Sequence, residues 1–137
     1  GGDQILPVVN LLIERFEHVV LTQDWHPAGH SSFASTHPGK SPFETVTMAY
    51  GEQTLWPDHC IQGTPGADFH PGLDWTKAEN VIRKGFRKDI DSYSAFFEND
   101  GARRLSQGAR HRPGHAVRPG DGLLCRLFGA GCDPPGL

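Results

Sequence analysis

His18–Phe33 reads HVVLTQDWHPAGHSSF, and this run decides the fold. Its first part is apolar and β-branched on both faces, as in a strand buried inside a parallel sheet. Asp24, Trp25 and His26 end that strand, and His30 follows four residues later. Side chains two apart on a strand share a face, so Asp24 and His26 belong to one side of the strand end. In open α/β sheets, sites form where strands end. A carboxylate oxygen and an imidazole nitrogen begin a divalent-metal site suited to zinc, iron or manganese. His59, in LWPDHC, and His30 are the candidates to complete it. The same spacing also fits loop histidines that cap backbone groups, and spacing alone leaves both readings open.

Upstream, GGDQILPVVNLLIERF predicts a helix. Asp3 is its candidate cap, Pro7 sits in the first turn, and Ile5, Val8, Val9, Leu12, Ile13 and Phe16 form an apolar stripe. A helix that feeds a buried strand normally follows an earlier strand, so the expectation is a fold lacking its first strand. Downstream, residues 24–72 are rich in Pro, Gly, His, Ser and Thr. A stretch of that length is functional or disordered, and Trp25, Phe33, Phe43, Trp56 and Phe69 favour function. GLDWTKAE reads as a short helix and NVIRKGF as a second buried strand. DSYSAFFEND reads as a loop or short helical turn. From Leu105 to Leu137, Gly and Pro are frequent and apolar residues cluster only in GLLCRLF.

The whole chain has 137 residues, enough for one domain with a modest core. Its net charge of −3 gives no electrostatic case for nucleic acid or an anionic membrane, and no apolar run is long enough to span a bilayer. No charged-then-apolar leader is visible. Three irregularly spaced cysteines predict no disulfide framework and a reduced, cytoplasmic setting.

Two more residues stand out. Lys84 ends the second strand, directly before Gly85. A lysine there lets its stem reach solvent or, beside a carboxylate, stays charged and steadies a thiolate or oxyanion. Trp56 precedes His59 by three. Its bulk reads as packing, and an aromatic wall beside a metal would also suit a flat ring. Trp25 reads as a core residue facing away from the ligands.

TQDWHP with HSSFAS, then LWPDHCIQGTPGADFHPGL, then IRKG with DSYSAFF together resemble the nicotinamidase/pyrazinamidase family of isochorismatase-like cysteine hydrolases. The order and spacing match over roughly residues 1–100. The resemblance implies an α/β fold, a three-layer parallel sheet flanked by helices, here incomplete at both ends. It implies hydrolysis of a small-molecule amide, nicotinamide or pyrazinamide, through a cysteine thioester, with one divalent metal as cofactor. By position, Asp24, His26 and His59 are the implied metal ligands and His30 a further one. Lys84 is the implied catalytic lysine and Trp56 the implied substrate wall.

Two motifs of the family are absent from the 137 residues. One is the D-x-Q-N-D-F-like strand with the catalytic aspartate, and the other is G-x-A-T-D-x-C-V with the nucleophile. Residues 1–104 therefore read as a partial hydrolase domain and 105–137 as an irregular tail. Back-translated with permitted codons and read one base on, RPGDGLLCRLFGAGCDPPG gives GLATDYCVVYSALDAIRL. The wobble bases are free choices and become second bases, but first and third bases are largely set by the protein. This predicts a shifted frame after about Arg104, with the cysteine codon straddling those of Leu124 and Cys125. The chain as written is then a truncated, inactive nicotinamidase. The alternatives are a metal-binding pseudoenzyme fragment, or a related amidohydrolase acting on another amide.

Overall fold

The computed structural model describes residues 2–98 and 122–126. Helix α1 (Leu6–Arg15) leads into β1 (His18–Asp24), and β4 (Asn80–Lys84) and α2 (Ala95–Glu98) come later. Between β1 and β4 stands an antiparallel hairpin of β2 (Thr45–Met48) and β3 (Gly51–Thr54). Strand β5 (Gly122–Arg126) completes a sheet of order β4-β1-β5, parallel throughout.

Alternation along β1 makes the layers. Val19 and Leu21 face α1 and pack with Val9, Ile13 and Leu73. Val20 faces the other way, against Ile82 and the Ala95 of α2. Helices thus cover both faces of a parallel sheet, the expected α/β layering. Among the described residues, no helix is long and apolar enough to cross a membrane.

Several local expectations change. Helix α1 starts at Leu6 with Ile5 at its N-cap and no side-chain cap bond, while Asp3 lies in the preceding 3-10 turn. From there Asp3 stands too early to cap α1; Pro7 does occupy the first turn. GLDWTKAE is a set of turns, not a helix. The Asp74 carboxylate accepts from the Thr76 hydroxyl (2.6 Å) and the Thr76 backbone N–H (3.3 Å), a local bond that competes with the helical one. The hairpin has a β-branched first strand, TVTM, but its two-residue turn is Ala49-Tyr50, without the Asn-Gly signal that marks such turns. Within 105–137, expected to be irregular, Gly122–Arg126 forms β5 from the one apolar cluster of that stretch. The remainder of 105–137 lies outside the described residues.

Candidate metal and substrate site

Register builds the site first. β1 and β4 run parallel with Asp24 opposite Lys84, and the Trp25 N–H donates to the Lys84 carbonyl at 2.9 Å. Both strands therefore end level, and two charged residues share one buried edge. Asp24 and Lys84 are each 4 % exposed. The Lys84 ammonium is ion-paired with Asp24 Oδ1 and donates to the Ser92 carbonyl at 3.2 Å. Lys84 is thus held inside, and its stem does not carry the charge to solvent.

The returning loop supplies the next element. His26 bridges Ile61, with its N–H donating to Cys60 O (3.0 Å) and its carbonyl accepting from Gln62 N–H (2.8 Å). Phe33 bridges Trp56 in the same way. This zipper brings residues 56–61 beside 26–33. The His26 ring lies 4.5 Å from that of His30 and 4.8 Å from that of His59, centroid to centroid. The buried Phe33 ring touches all three.

Each imidazole is oriented through one nitrogen. His26 Nδ1 donates to the Gly85 carbonyl (2.9 Å), and His59 Nδ1 donates to the Pro57 carbonyl (2.8 Å). Carbonyls only accept, so both rings carry their proton on Nδ1 and keep the Nε2 lone pair. His30 is different: its Nδ1 accepts from the Ser32 backbone N–H at 3.2 Å and lies 2.7 Å from Ser32 Oγ, and its Nε2 is buried with no hydrogen-bond partner among the described residues. His26 and His59, tied through Nδ1 and open at Nε2, have the form a metal requires. Burial, and then electrostatic interaction with the neighbouring His30 and His59, push His26 down to about 4, against the opposing pull of Asp24 and Asp91. The ring stays neutral at physiological pH, the form that binds a cation.

Ligand atoms of His26, His30 and Asp91 lie within 4.8 Å of one another. The donor set, two imidazoles and a carboxylate, fits a divalent ion. Of the residues expected from the sequence, His26 and His30 belong to this group, and His59 stands beside it against His26. Asp24 is near enough to influence His26 but is engaged by Lys84. Asp91 was not foreseen. Its signal was position: a carboxylate in the loop just after the second strand end, where sites form.

Gly85 makes the approach of His26 possible. It adopts φ +66°, and a Cβ there would stand 2.3 Å from His26 Cε1. Trp56 is half-buried. Its Nε1–H donates to the Tyr93 hydroxyl at 3.1 Å, and its ring meets Phe43 edge-on at 6.0 Å. Trp25 faces elsewhere, with the Arg83 guanidinium 3.8 Å above its ring. Cys60 is disulfide-bonded, a single bridge where the three cysteines predict no disulfide framework.

No protein-family model matches the chain. Nicotinamidase of Acinetobacter baylyi is 57% identical over 100 residues, covering 73% of this chain and 47% of the relative. The yeast nicotinamidase Pnc1p, solved with the inhibitor nicotinaldehyde, superposes with a TM-score of 0.71 at 25% identity, over 91% of this chain and 63% of that one. Pyrazinamidase of Pyrococcus horikoshii, solved in complex with zinc, gives 0.60 at 32% identity, over 92% and 57%. The chain spans about half the length of the curated relatives it matches. The sequence identity, the parallel sheet and the shared motifs agree, and the chain belongs to the nicotinamidase/pyrazinamidase family.

Proposed function

We propose that the chain carries the metal- and ring-binding half of a nicotinamidase, a hydrolase that converts nicotinamide to nicotinate and ammonia. The observation that carries this reading is the convergence of His26, His30 and Asp91, with His59 alongside, next to the buried Asp24–Lys84 pair. His26, His30 and His59 would hold one divalent ion with a carboxylate from Asp91 or Asp24. Zinc is the metal of the Pyrococcus relative, and nitrogen and oxygen donors suit it. When bound, the ion supplies a positive charge to anchor the ring side of the substrate and a water. Trp56 offers an apolar wall for that ring. Lys84 places an ammonium where it can lower a thiolate's pKa or stabilise an oxyanion. The attacking cysteine and its aspartate partner belong to motifs that these 137 residues do not contain. The polypeptide as written should bind a metal.

The test is a graft. Residues 2–98 replace the matching segment of the Acinetobacter baylyi enzyme, and ammonia release from nicotinamide is measured. An active graft that loses about 100-fold or more of its turnover on Lys84→Ala, while keeping its metal, agrees with the proposal. An active graft indifferent to Lys84→Ala removes that residue from the chemistry. A graft that folds and binds no metal removes the histidine assignment.

A further inference from the structure

The β2–β3 hairpin is largely exposed, yet it buries one polar side chain. Gln53 is 2 % exposed and is the one fully buried residue of the two strands. A buried carboxamide must find partners, and those of Gln53 belong to the site. Its Nε2 lies 2.6 Å from the Thr54 carbonyl, 3.1 Å from Asp91 Oδ2 and 3.1 Å from the Tyr93 hydroxyl. Thr54 O and the Asp91 carboxylate only accept, so the NH2 end must face them and the amide cannot be flipped. One hydrogen goes to Thr54 and the other is shared by Asp91 and Tyr93. Oε1 accepts from the Tyr50 hydroxyl at 3.2 Å. Tyr93 also accepts from Trp56 Nε1 at 3.1 Å. The other Asp91 oxygen accepts from the Ser92 N–H at 2.8 Å, a bond local to its own loop. Among the described residues, Gln53 is therefore the tie from outside that loop to both Asp91 and Tyr93.

We propose that Gln53 is a positioning residue of the metal site. Its carboxamide, carried by the hairpin, holds the Asp91 carboxylate toward His26 and His30 and the Tyr93 hydroxyl toward Trp56. The inference rests on the metal reading given above and adds the device that sets the carboxylate. Groups that orient metal ligands typically change affinity by about 10–100-fold when removed.

Cobalt(II), followed by its visible absorption, is titrated into the full 137-residue chain and its variants. Gln53→Leu should raise the dissociation constant by about 10–100-fold. Gln53→Glu should raise it further, because an ionised carboxylate offers no N–H and repels Asp91. Glu52→Gln, on the same strand but exposed, should leave it unchanged. A purely structural role would make the loss follow melting temperature and not the charge placed at position 53. Where a variant does not fold, the unaltered chain still decides: zinc should shift the Gln53 side-chain NH2 resonances in an NMR titration. Cobalt binding unchanged in folded Gln53→Leu, or unmoved Gln53 resonances while zinc binds, overturns this inference alone. No metal binding by the unaltered chain overturns the metal reading and this inference with it.

Discussion

The joined ends of β1 and β4 and the loop leading into β2 each carry a lysine–carboxylate pair, in opposite surroundings. Lys84 and Asp24 are about 5% exposed and sit on adjacent parallel strands at matching register. Lys40 and Glu44 meet at 3.0 Å, four residues apart in one loop, with more than 40% of each side chain exposed. The inner pair is fixed by the sheet before any charge acts, whereas the outer pair must order two long side chains for itself. Water screens the outer pair and not the inner one. Similar charges therefore do different work: the inner pair defines a reactive edge, and the outer pair decorates a loop.

The contrast breaks most sharply at Lys84. Lys84→Met leaves the Asp24 carboxylate buried without its cation, and removal of one member of a buried pair costs about 3–5 kcal/mol. Asp24→Leu with Lys84→Met should recover most of that loss, because two apolar side chains leave no orphaned charge. Urea unfolding of both variants and the parent measures the difference. Equal losses in the single and double variants would show that the two charges are not coupled.

Gly85 gives the next largest effect. An alanine there is strained at φ +66° and meets the His26 ring at 2.3 Å. Backbone strain and overpacking together should cost about 2–4 kcal/mol, and cobalt affinity should fall with it as His26 swings away. A stable Gly85→Ala variant with full cobalt affinity would mean that the His26 ring is not held by this contact.

These two residues also show how much the sequence discloses. The strand HVVLTQD and the second strand were legible because composition and strand-end position are local properties. Lys84 was legible as a residue, but its partner was not, since the register that sets Asp24 opposite it is a property of the sheet. Asp91 and Gln53 were missed for a related reason. Asp91 reaches the site through a loop without periodicity, and Gln53 lies on a hairpin whose turn lacks the usual residues. The helix expected over GLDWTKAE gives way to turns in which the Asp74 carboxylate accepts from the Thr76 backbone N–H and hydroxyl. The zipper of His26 with Ile61 and Phe33 with Trp56 joins segments more than twenty residues apart, and no local pattern announces it.

Acid should separate the inner region from the outer one more gently. His26 is held down to about 4 in the folded, metal-free protein, chiefly by burial, while an unfolded histidine titrates near 6.5. Between those values the unfolded chain binds the proton and the folded chain does not. Stability conferred by this group is therefore lost as pH falls from about 6.5 toward 4, and regained as it rises. Urea midpoints of the metal-free chain at several pH values, compared with those of His26→Gln, should show a shallower slope for the variant in that window. Parallel slopes would mean that His26 titrates normally.

The smallest effect is expected at the outer pair, and its smallness is the point. Lys40→Ala removes an i, i+4 contact between side chains that solvent already reaches. The lysine holds the Glu44 carboxyl below its usual range, mainly through their hydrogen bond, so the interaction exists. What it gains is offset by ordering two flexible side chains, and salt weakens the rest. The urea midpoint of Lys40→Ala should match that of the parent at moderate ionic strength, with any difference seen at low salt vanishing as sodium chloride is added. A substantial, salt-insensitive loss would mean that the outer pair is as protected from water as the inner one, and the distinction between the two regions would fail.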